Sequence, residues 1–310
     1  MFWGNKFVIS VASGKGGIGK SCFAANIGVM MAQMGKRVVL VDADIGAANL
    51  HTMVGVAYPE VTLNDFVNGQ VLSLEQVMIP TPYDNLRLLS SASDVLSISS
   101  PNYKNRQKLV RALQKLEADV IIFDIAAGAH QRAMDFFSLA PFGIIVVGPI
   151  PTSLENAFSF LKNLLMRCLL RIFYHDAETR QAIMTMIDPR QKGHIPEFGD
   201  LLTELEKRAP EGVRKFRAEF SEEHYRLGIV TNVVKTSAQL AVTDKFAKMV
   251  RRYLGLNVLP LGALPYEAAM DASIIERIPH VIKFPAGAYT RNMKSIISAI
   301  SSNSDLPKKI

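Results

Sequence analysis

Residues 7–21, FVISVASGKGGIGKS, decide how the rest of the chain is read. Phe7–Ala12 is a short apolar run with β-branched residues, and it stops at glycine-rich sequence. From Lys20 the chain turns to Ala- and Met-rich sequence that runs to Met34 and is closed by Gly35. The order is strand, glycine loop, helix. Gly14 to Ser21 fits G-x-x-x-x-G-K-[ST] in the context that pattern requires. Glycines let successive backbone N–H groups turn toward one anion, and the following helix adds its positive amino end. Lys20 is placed to reach the β- and γ-phosphates of a nucleotide, and the Ser21 hydroxyl to ligate Mg²⁺. The expected phosphate-binding positions are Gly14, Lys15, Gly16, Gly17, Ile18, Gly19, Lys20, Ser21 and Cys22.

The strand–loop–helix rhythm continues outward. Arg37–Val41, Leu86–Leu89, Asp119–Asp124, Gly143–Val147, Leu227–Thr231 and Val258–Leu261 are further short apolar runs. Helical patterns cover Tyr103–Leu116, Gln131–Leu139, Ser153–Arg171, Ala238–Leu254 and Tyr289–Ile300. Near-continuous apolar strands alternating with helices predict an α/β fold, a doubly wound and mostly parallel sheet flanked by helices. Ligands in such sheets bind at the carboxyl ends of the strands. Residues 172–224 break the rhythm with charges, prolines and glycines. They read as a helical insertion, with pieces such as Leu201–Arg208, on one domain spanning residues 1–310. The polar tail Ser301–Ile310 is expected to fray.

Composition narrows the classes. The chain has 310 residues, 49% hydrophobic and 20% charged, which excludes a wholly disordered or collagen-like protein. No apolar run approaches the ~18–20 residues of a membrane-spanning helix. The start carries no secretory-signal pattern, so a cytoplasmic location is expected. Two cysteines, Cys22 and Cys168, exclude a disulfide framework and a multi-cysteine metal site. The net charge is +7, unevenly spread: residues 175–226 hold 11 acids and 9 bases, and the remainder carries 26 bases against 17 acids. That balance favours a polyanionic partner or a basic soluble surface. Lys245, Lys248, Arg251 and Arg252 fall at helical spacing, a pattern that serves either phosphate neutralisation or a solvated face. The six histidines have no ligand spacing.

With its early lysine, Gly14-Lys15-Gly16-Gly17-Ile18-Gly19-Lys20-Ser21 resembles the deviant Walker A motif of the MinD/ParA ATPases. The resemblance implies that Lys15 reaches across a dimer to the partner's phosphates. Asp42-Ala43-Asp44-Ile45-Gly46, ending at Asn49-Leu50, resembles that family's D-x-D-x-G-x-x-N-L segment, which makes Asp44 the residue that orients the attacking water. Two carboxylates at a strand end beside a phosphate loop also suit cation and water positioning. Phe123-Asp124-Ile125-Ala126-Ala127-Gly128 resembles Walker B and switch II, with Asp124 holding Mg²⁺ and the Gly128 N–H sensing the γ-phosphate; Ala126 departs from the usual Pro or Gly. Ser21, Asp44 and Asp124 are thus the expected metal set, and Lys15, Lys20 and Asp44 the expected catalytic set.

Pro149-Ile150-Pro151-Thr152-Ser153 is similar to a segment of the FlhG/FleN subgroup. By the same resemblance Asn232 contacts adenine, and Pro265, Tyr266 and Glu267 belong to a loop closing over the base. The chain lacks the amino-terminal D-Q-A-x-x-L segment by which FlhG proteins stimulate their GTPase partner, and the short basic helix by which MinD meets membranes. The resemblance implies an ATP- and Mg²⁺-dependent ATPase that forms a homodimer with ATP, responds to an activating protein, and positions or regulates flagellar, polar or division machinery, with the ATP dimer bound to an anionic membrane surface or to a protein partner. The other reading is a ParA-like ATPase with ATP-gated, nonspecific DNA binding at the nucleoid.

Overall fold

The computed structural model describes residues 3–44, 48–91, 103–187 and 197–303, with the backbone alone at 103–106. Residues 45–47 of the Asp42–Leu50 segment, Pro189, Gly193 and Pro196 of the insertion, and 304–310 of the tail lie outside them. Eight strands form one sheet in the order β3-β4-β2-β5-β1-β6-β7-β8. They are β1 (Phe7–Ala12), β2 (Val38–Ala43), β3 (Met78–Pro80), β4 (Leu86–Leu89), β5 (Val120–Ile125), β6 (Phe142–Val147), β7 (Arg226–Val234) and β8 (Val258–Pro265). All neighbours run parallel except the edge pair β3–β4. The doubly wound, mostly parallel sheet expected from the strand rhythm is therefore the fold. Short β3 is the addition; at three residues it carries no periodic signal.

Period-2 alternation splits each central strand between two cores. Val8, Val39, Val41, Ile121, Phe123, Ile145 and Ile229 face one layer, where the helices Gln131–Phe137, Pro151–Ile172 and Val242–Leu254 pack. Ile9, Leu40, Ile122, Ile144 and Val230 face the other, under the helices Lys20–Gln33 and Ala288–Ser302. The Lys20–Gln33 helix is buried at nearly every position, because strand ends and later helices cover it all round. Gly28 permits this: a Cβ there would stand 2.8 Å from Leu40 Cδ2.

The segment read as an insertion contributes three described helices, Ala177–Met186, Phe198–Glu206 and Pro210–Glu219. The piece read as Leu201–Arg208 starts three residues earlier and ends two sooner. Ile183, Leu205, Val213 and Phe216 join the same core as the sheet's first face. The segment read as one helix over Ala238–Leu254 divides into a 3₁₀ turn, Ser237–Ala241, and a helix, Val242–Leu254. On the final helix the apolar stripe Met293, Ile296, Ile297 and Ile300 is core. No helix among the described residues is long and apolar enough to cross a membrane.

Tyr289 is fully buried in that second core, and its hydroxyl has no hydrogen-bond partner among the described residues. An unpaired buried hydroxyl is a cost of folding. Tyr289→Phe should therefore raise unfolding free energy by about 1 kcal/mol in urea denaturation. A loss of stability would mean that the hydroxyl is satisfied.

Candidate functional site

The parallel register builds the site. Asp42 and Asp124 are Cα partners on β2 and β5, so both carboxylates emerge side by side from the middle of the sheet. Both are fully buried. From the other side, the first residue of the Lys20–Gln33 helix brings the Lys20 ammonium to 2.5 Å from Asp124 Oδ1 and 3.2 Å from Ser21 Oγ. Lys20 is 6% exposed, so the pair is a desolvated ion pair. Asp124 Oδ2 is buried without a partner among the described residues.

Asp42 braces the backbone. Its Oδ1 accepts from Asp44 N–H at 3.1 Å and its Oδ2 from Leu50 N–H at 2.9 Å. Burial, then the adjacent Asp124 charge, push its carboxyl up to about 7 against those hydrogen bonds and the Lys20 ammonium. Asp44 is half-buried, and burial raises it too, while Lys20 and His130 pull the other way and Asp124 adds to the rise. Asp44 lines a 370 Å³ cavity with Ala126, His130, Gln131 and Arg132. Sequence spacing did not single out His130. Its signal was position: it follows Gly128 by two residues and immediately precedes the Gln131–Phe137 helix.

The loop's glycines have separate reasons. A Cβ on Gly14 would fall 2.3 Å from the backbone of Asn156 and Ala157, so only glycine lets β1 end against the Pro151–Ile172 helix. Gly17 and Gly19 sit at φ 77° and 82°. Gly128 is left-handed at φ 92°, and its N–H donates to Ser13 O at 3.0 Å, so in this conformation it is turned onto the loop. Lys15 is exposed, and no described residue pairs with its ammonium. The Cys22 side chain is buried, with Sγ 3.2 Å from Met270 Sδ, so only its backbone is available to a phosphate. Burial pushes the Cys22 thiol up to about 12 and the Cys168 thiol to about 11. Neither resembles an exposed cluster ligand.

The late residues reach the loop from β7 and β8. Asn232 Nδ2 donates to Ile18 O at 2.8 Å. A register shift between β7 and β8 surrounds it, and Val233 takes φ 63°, strained for a β-branched residue. Tyr266 donates its N–H to Val234 O at 2.8 Å, and its half-exposed ring lies 4.7 Å from the Lys235 ammonium. Glu267 is committed within the fold: Oε2 pairs with His280 Nε2 and Oε1 accepts from Tyr289 N–H, each at 2.8 Å. Burial alone would raise its carboxyl, but those two donors hold it below the usual range. Pro265 ends β8 beside Val234. The structure thus gathers Lys20, Ser21, Asp44, Asp124 and Gly128 at the carboxyl ends of β1, β2 and β5, with Asn232 closing the loop from behind. On the separate helix Val242–Leu254, Lys245 and Lys248 are exposed, whereas Arg251 is held by Asn257 and Val258 O.

Comparison with known proteins gives the same frame. The ParA family model, described as NUBPL iron-transfer P-loop NTPase, matches residues 4–159. The antiactivator FleN of Pseudomonas aeruginosa is 33% identical over 157 residues, 50% of this chain and 55% of that protein. The septum site-determining protein MinD of Thermotoga maritima is 32% identical over 198 residues, 63% of this chain and 68% of that protein. The structure of MinD from Pyrococcus horikoshii complexed with Mg-ADP superposes with TM-score 0.64 at 20% identity, covering 98% of this chain and 100% of that one. The chain spans about half the length of FleN and of several other curated relatives it matches.

Asp42 gives the fold a pH dependence of definite sign. A carboxyl raised in the folded state binds its proton more tightly there. Its contribution is complete below the ordinary carboxylate range and is lost as pH rises through about 7. His51, lowered by burial and by Arg277, titrates in the opposite sense, so the comparison needs a variant. From about pH 5 to about pH 7.5 without nucleotide, wild type should lose about 1–3 kcal/mol more unfolding free energy than Asp42→Asn. Parallel pH profiles in urea denaturation would show that Asp42 is ionised throughout.

Proposed function

We propose, because the chain belongs to the ParA family of P-loop NTPases, that it binds ATP with Mg²⁺ at residues 14–22, dimerises around it and hydrolyses it as a timed switch. The observation that carries this reading is the buried Lys20–Asp124 pair with one carboxylate oxygen left over. The donor set fits the group. Ser21 Oγ and Asp124 offer hard oxygen ligands, and no cluster of three acidic, His or Cys side chains stands among the described residues. A cation here would complete its shell from phosphate oxygens and water, as Mg²⁺ does beside a nucleotide. When bound, Mg²⁺ neutralises charge on the β- and γ-phosphate oxygens.

The chain's own residues do the rest. The loop N–H groups and Lys20 hold the phosphates, with Lys20 exchanging Asp124 for phosphate oxygens. Asp44, half-buried and raised, is suited to hold the proton of an attacking water and orient it. The Gly128 N–H, now on Ser13 O, is free to turn to a γ-phosphate if that contact breaks. Lys15, exposed and without a side-chain partner among the described residues, reaches the partner subunit's phosphates. The Glu267 oxygens are already engaged, so contacts to the base fall to Asn232, Pro265 and the Tyr266 backbone.

Turnover of this kind is slow until a protein partner acts. The output we infer is the positioning or regulation of flagellar, polar or division machinery, with the ATP dimer bound to an anionic membrane surface or to a protein partner. The exposed Lys245 and Lys248 support a second reading, ATP-gated DNA binding at the nucleoid. Co-sedimentation with DNA and with anionic liposomes, each with ATP and with ADP, separates the two.

Three substitutions test the switch. Lys20→Ala should abolish ATP binding in calorimetry and, by stranding Asp124, cost about 3–5 kcal/mol of stability. Asp44→Ala should keep ATP, stop hydrolysis and prolong the ATP dimer in size-exclusion chromatography. Lys15→Ala should bind nucleotide as a monomer yet fail to dimerise in light scattering, because each interface loses a desolvated charge contact of about 2–5 kcal/mol, twice over by symmetry. A wild type that stays monomeric with Mg²⁺ and ATP, or a Lys15→Ala protein that dimerises normally, would remove the dimer mechanism and leave the nucleotide site standing.

A further inference from the structure

The helix Tyr103–Lys115, YKNRQKLVRALQK, carries five cations and no acid. Lys104, Lys108, Arg111 and Lys115 recur at the 4-3-4 spacing that lines up one helical face. In the fold, Lys108, Arg111 and Lys115 form one wall of a 550 Å³ groove whose other wall is the segment Leu72–Glu75, with Phe66 at its base. Lys108 is anchored: its ammonium donates to Phe66 O at 2.6 Å and lies 4.5 Å from the Phe66 ring. No described acid pairs with Arg111 or Lys115. Glu75 is the one acid lining the groove, which leaves its wall cationic.

Leu72 stands at the rim, 90% exposed, the most exposed large apolar side chain among the described residues. It is not on a loose loop. The Gln76 side-chain oxygen accepts from both Leu72 N–H at 2.9 Å and Ser73 N–H at 3.1 Å, so the turn that presents it is held. An ordered leucine in water beside Arg111 and Lys115, which no described acid pairs, is a feature that folding alone does not explain.

We propose that this groove docks an acidic amphipathic segment of a partner protein, its carboxylates on Arg111 and Lys115 and its apolar face on Leu72 and the groove floor. Concavity and mixed chemistry select that occupant. A helix of about 10 Å diameter with acids on one flank and apolar residues on the other meets both walls. Duplex DNA offers only phosphates on a convex surface and would leave Leu72 and the floor against charge. A flat bilayer does not enter the groove. From Lys108 to Lys115 the cations span about 10 Å along the axis, the reach of two helical turns.

Location adds a consequence. Crossover helices in a parallel sheet run opposite to the strands, so Lys115, just ahead of β5 at Val120, lies toward the amino ends of the strands. The nucleotide loop is at their carboxyl ends. A docked partner therefore leaves that edge open, and substitutions in the groove leave basal nucleotide turnover unchanged.

The test is selection of a random peptide-display library on the immobilised full chain, followed by affinity measurement of the winners. Enriched peptides should combine several Asp or Glu with an apolar anchor and weaken as salt rises. They should bind Arg111→Glu/Lys115→Glu and Leu72→Asp at least about tenfold more weakly. The neutral pair Arg111→Gln/Lys115→Gln carries the same comparison if charge reversal disturbs folding, which thermal melts would show. Failure to enrich any peptide, enrichment of non-acidic ones, or equal binding to the variants overturns the proposal. So does a result in which random-sequence duplex DNA or phosphatidylserine vesicles, and no peptide, lose binding in the double variant. ATP binding by the same proteins is measured alongside, so failure of the groove is distinguishable from failure of the nucleotide site.

Discussion

Everything at the nucleotide end of this protein depends on one ammonium group buried against two carboxylates. Lys20 lies 2.5 Å from Asp124 Oδ1, and Asp42 stands beside Asp124 in register. Burial first, and then the charge of Asp124 beside it, push the Asp42 carboxyl up to about 7 against the single Lys20 ammonium. The pair also does structural work. It pins the first turn of the Lys20–Gln33 helix over β5, and so sets where the chain between β1 and that helix must turn. Losing one partner of a buried pair costs more than keeping both contributes, because the survivor is left desolvated. The site is thus held tightly, and Asp124 Oδ2 is buried with no hydrogen-bond partner among the described residues.

The second half of the chain holds that arrangement from outside. Asn232 ties Ile18, Asn26 Oδ1 accepts from Val281 N–H, and Glu267 joins His280 to Tyr289. These links run between segments more than 200 residues apart or across the last elements of the fold, so β7, β8 and the final helices clamp the loop and the Lys20–Gln33 helix. The clamp requires strain. Val233 accepts a left-handed backbone so that Asn232 can leave the β7–β8 ladder and face the loop. Strain at this one position is the cost of aiming an amide at the nucleotide loop.

Charge is divided between the two ends of the sheet. At the carboxyl ends, Lys20 is buried and paired with Asp124, Asp42 and Asp44 lie close by, and Lys15 stands exposed on the loop. Away from them, the Tyr103–Lys115 helix sets out cations with no acid on its own face, beside an exposed leucine. The first arrangement suits a triphosphate and its cation; the second suits an acidic polypeptide.

Much of this was legible in residues 7–21 and the strand rhythm after them. Short apolar runs ending in Gly, Asp or Asn predict parallel strands with ligands at their carboxyl ends, because side-chain alternation and backbone periodicity are local properties. Lys20, Ser21, Asp44 and Asp124 could be marked for the same reason: each sits at a fixed offset from a strand end. What the sequence could not state is contact across distance. The Lys20–Asp124 ion pair, the Glu267–His280 pair, the nearness of His130 to Asp44 and the groove between Leu72 and Arg111 join segments whose separation along the chain carries no periodic signal. The burial that raises Asp42, and the His280 and Tyr289 donors that commit Glu267, are likewise properties of the packed whole. Local chemistry chose the residues, and only tertiary packing, by removing water and fixing register, decided which of them meet.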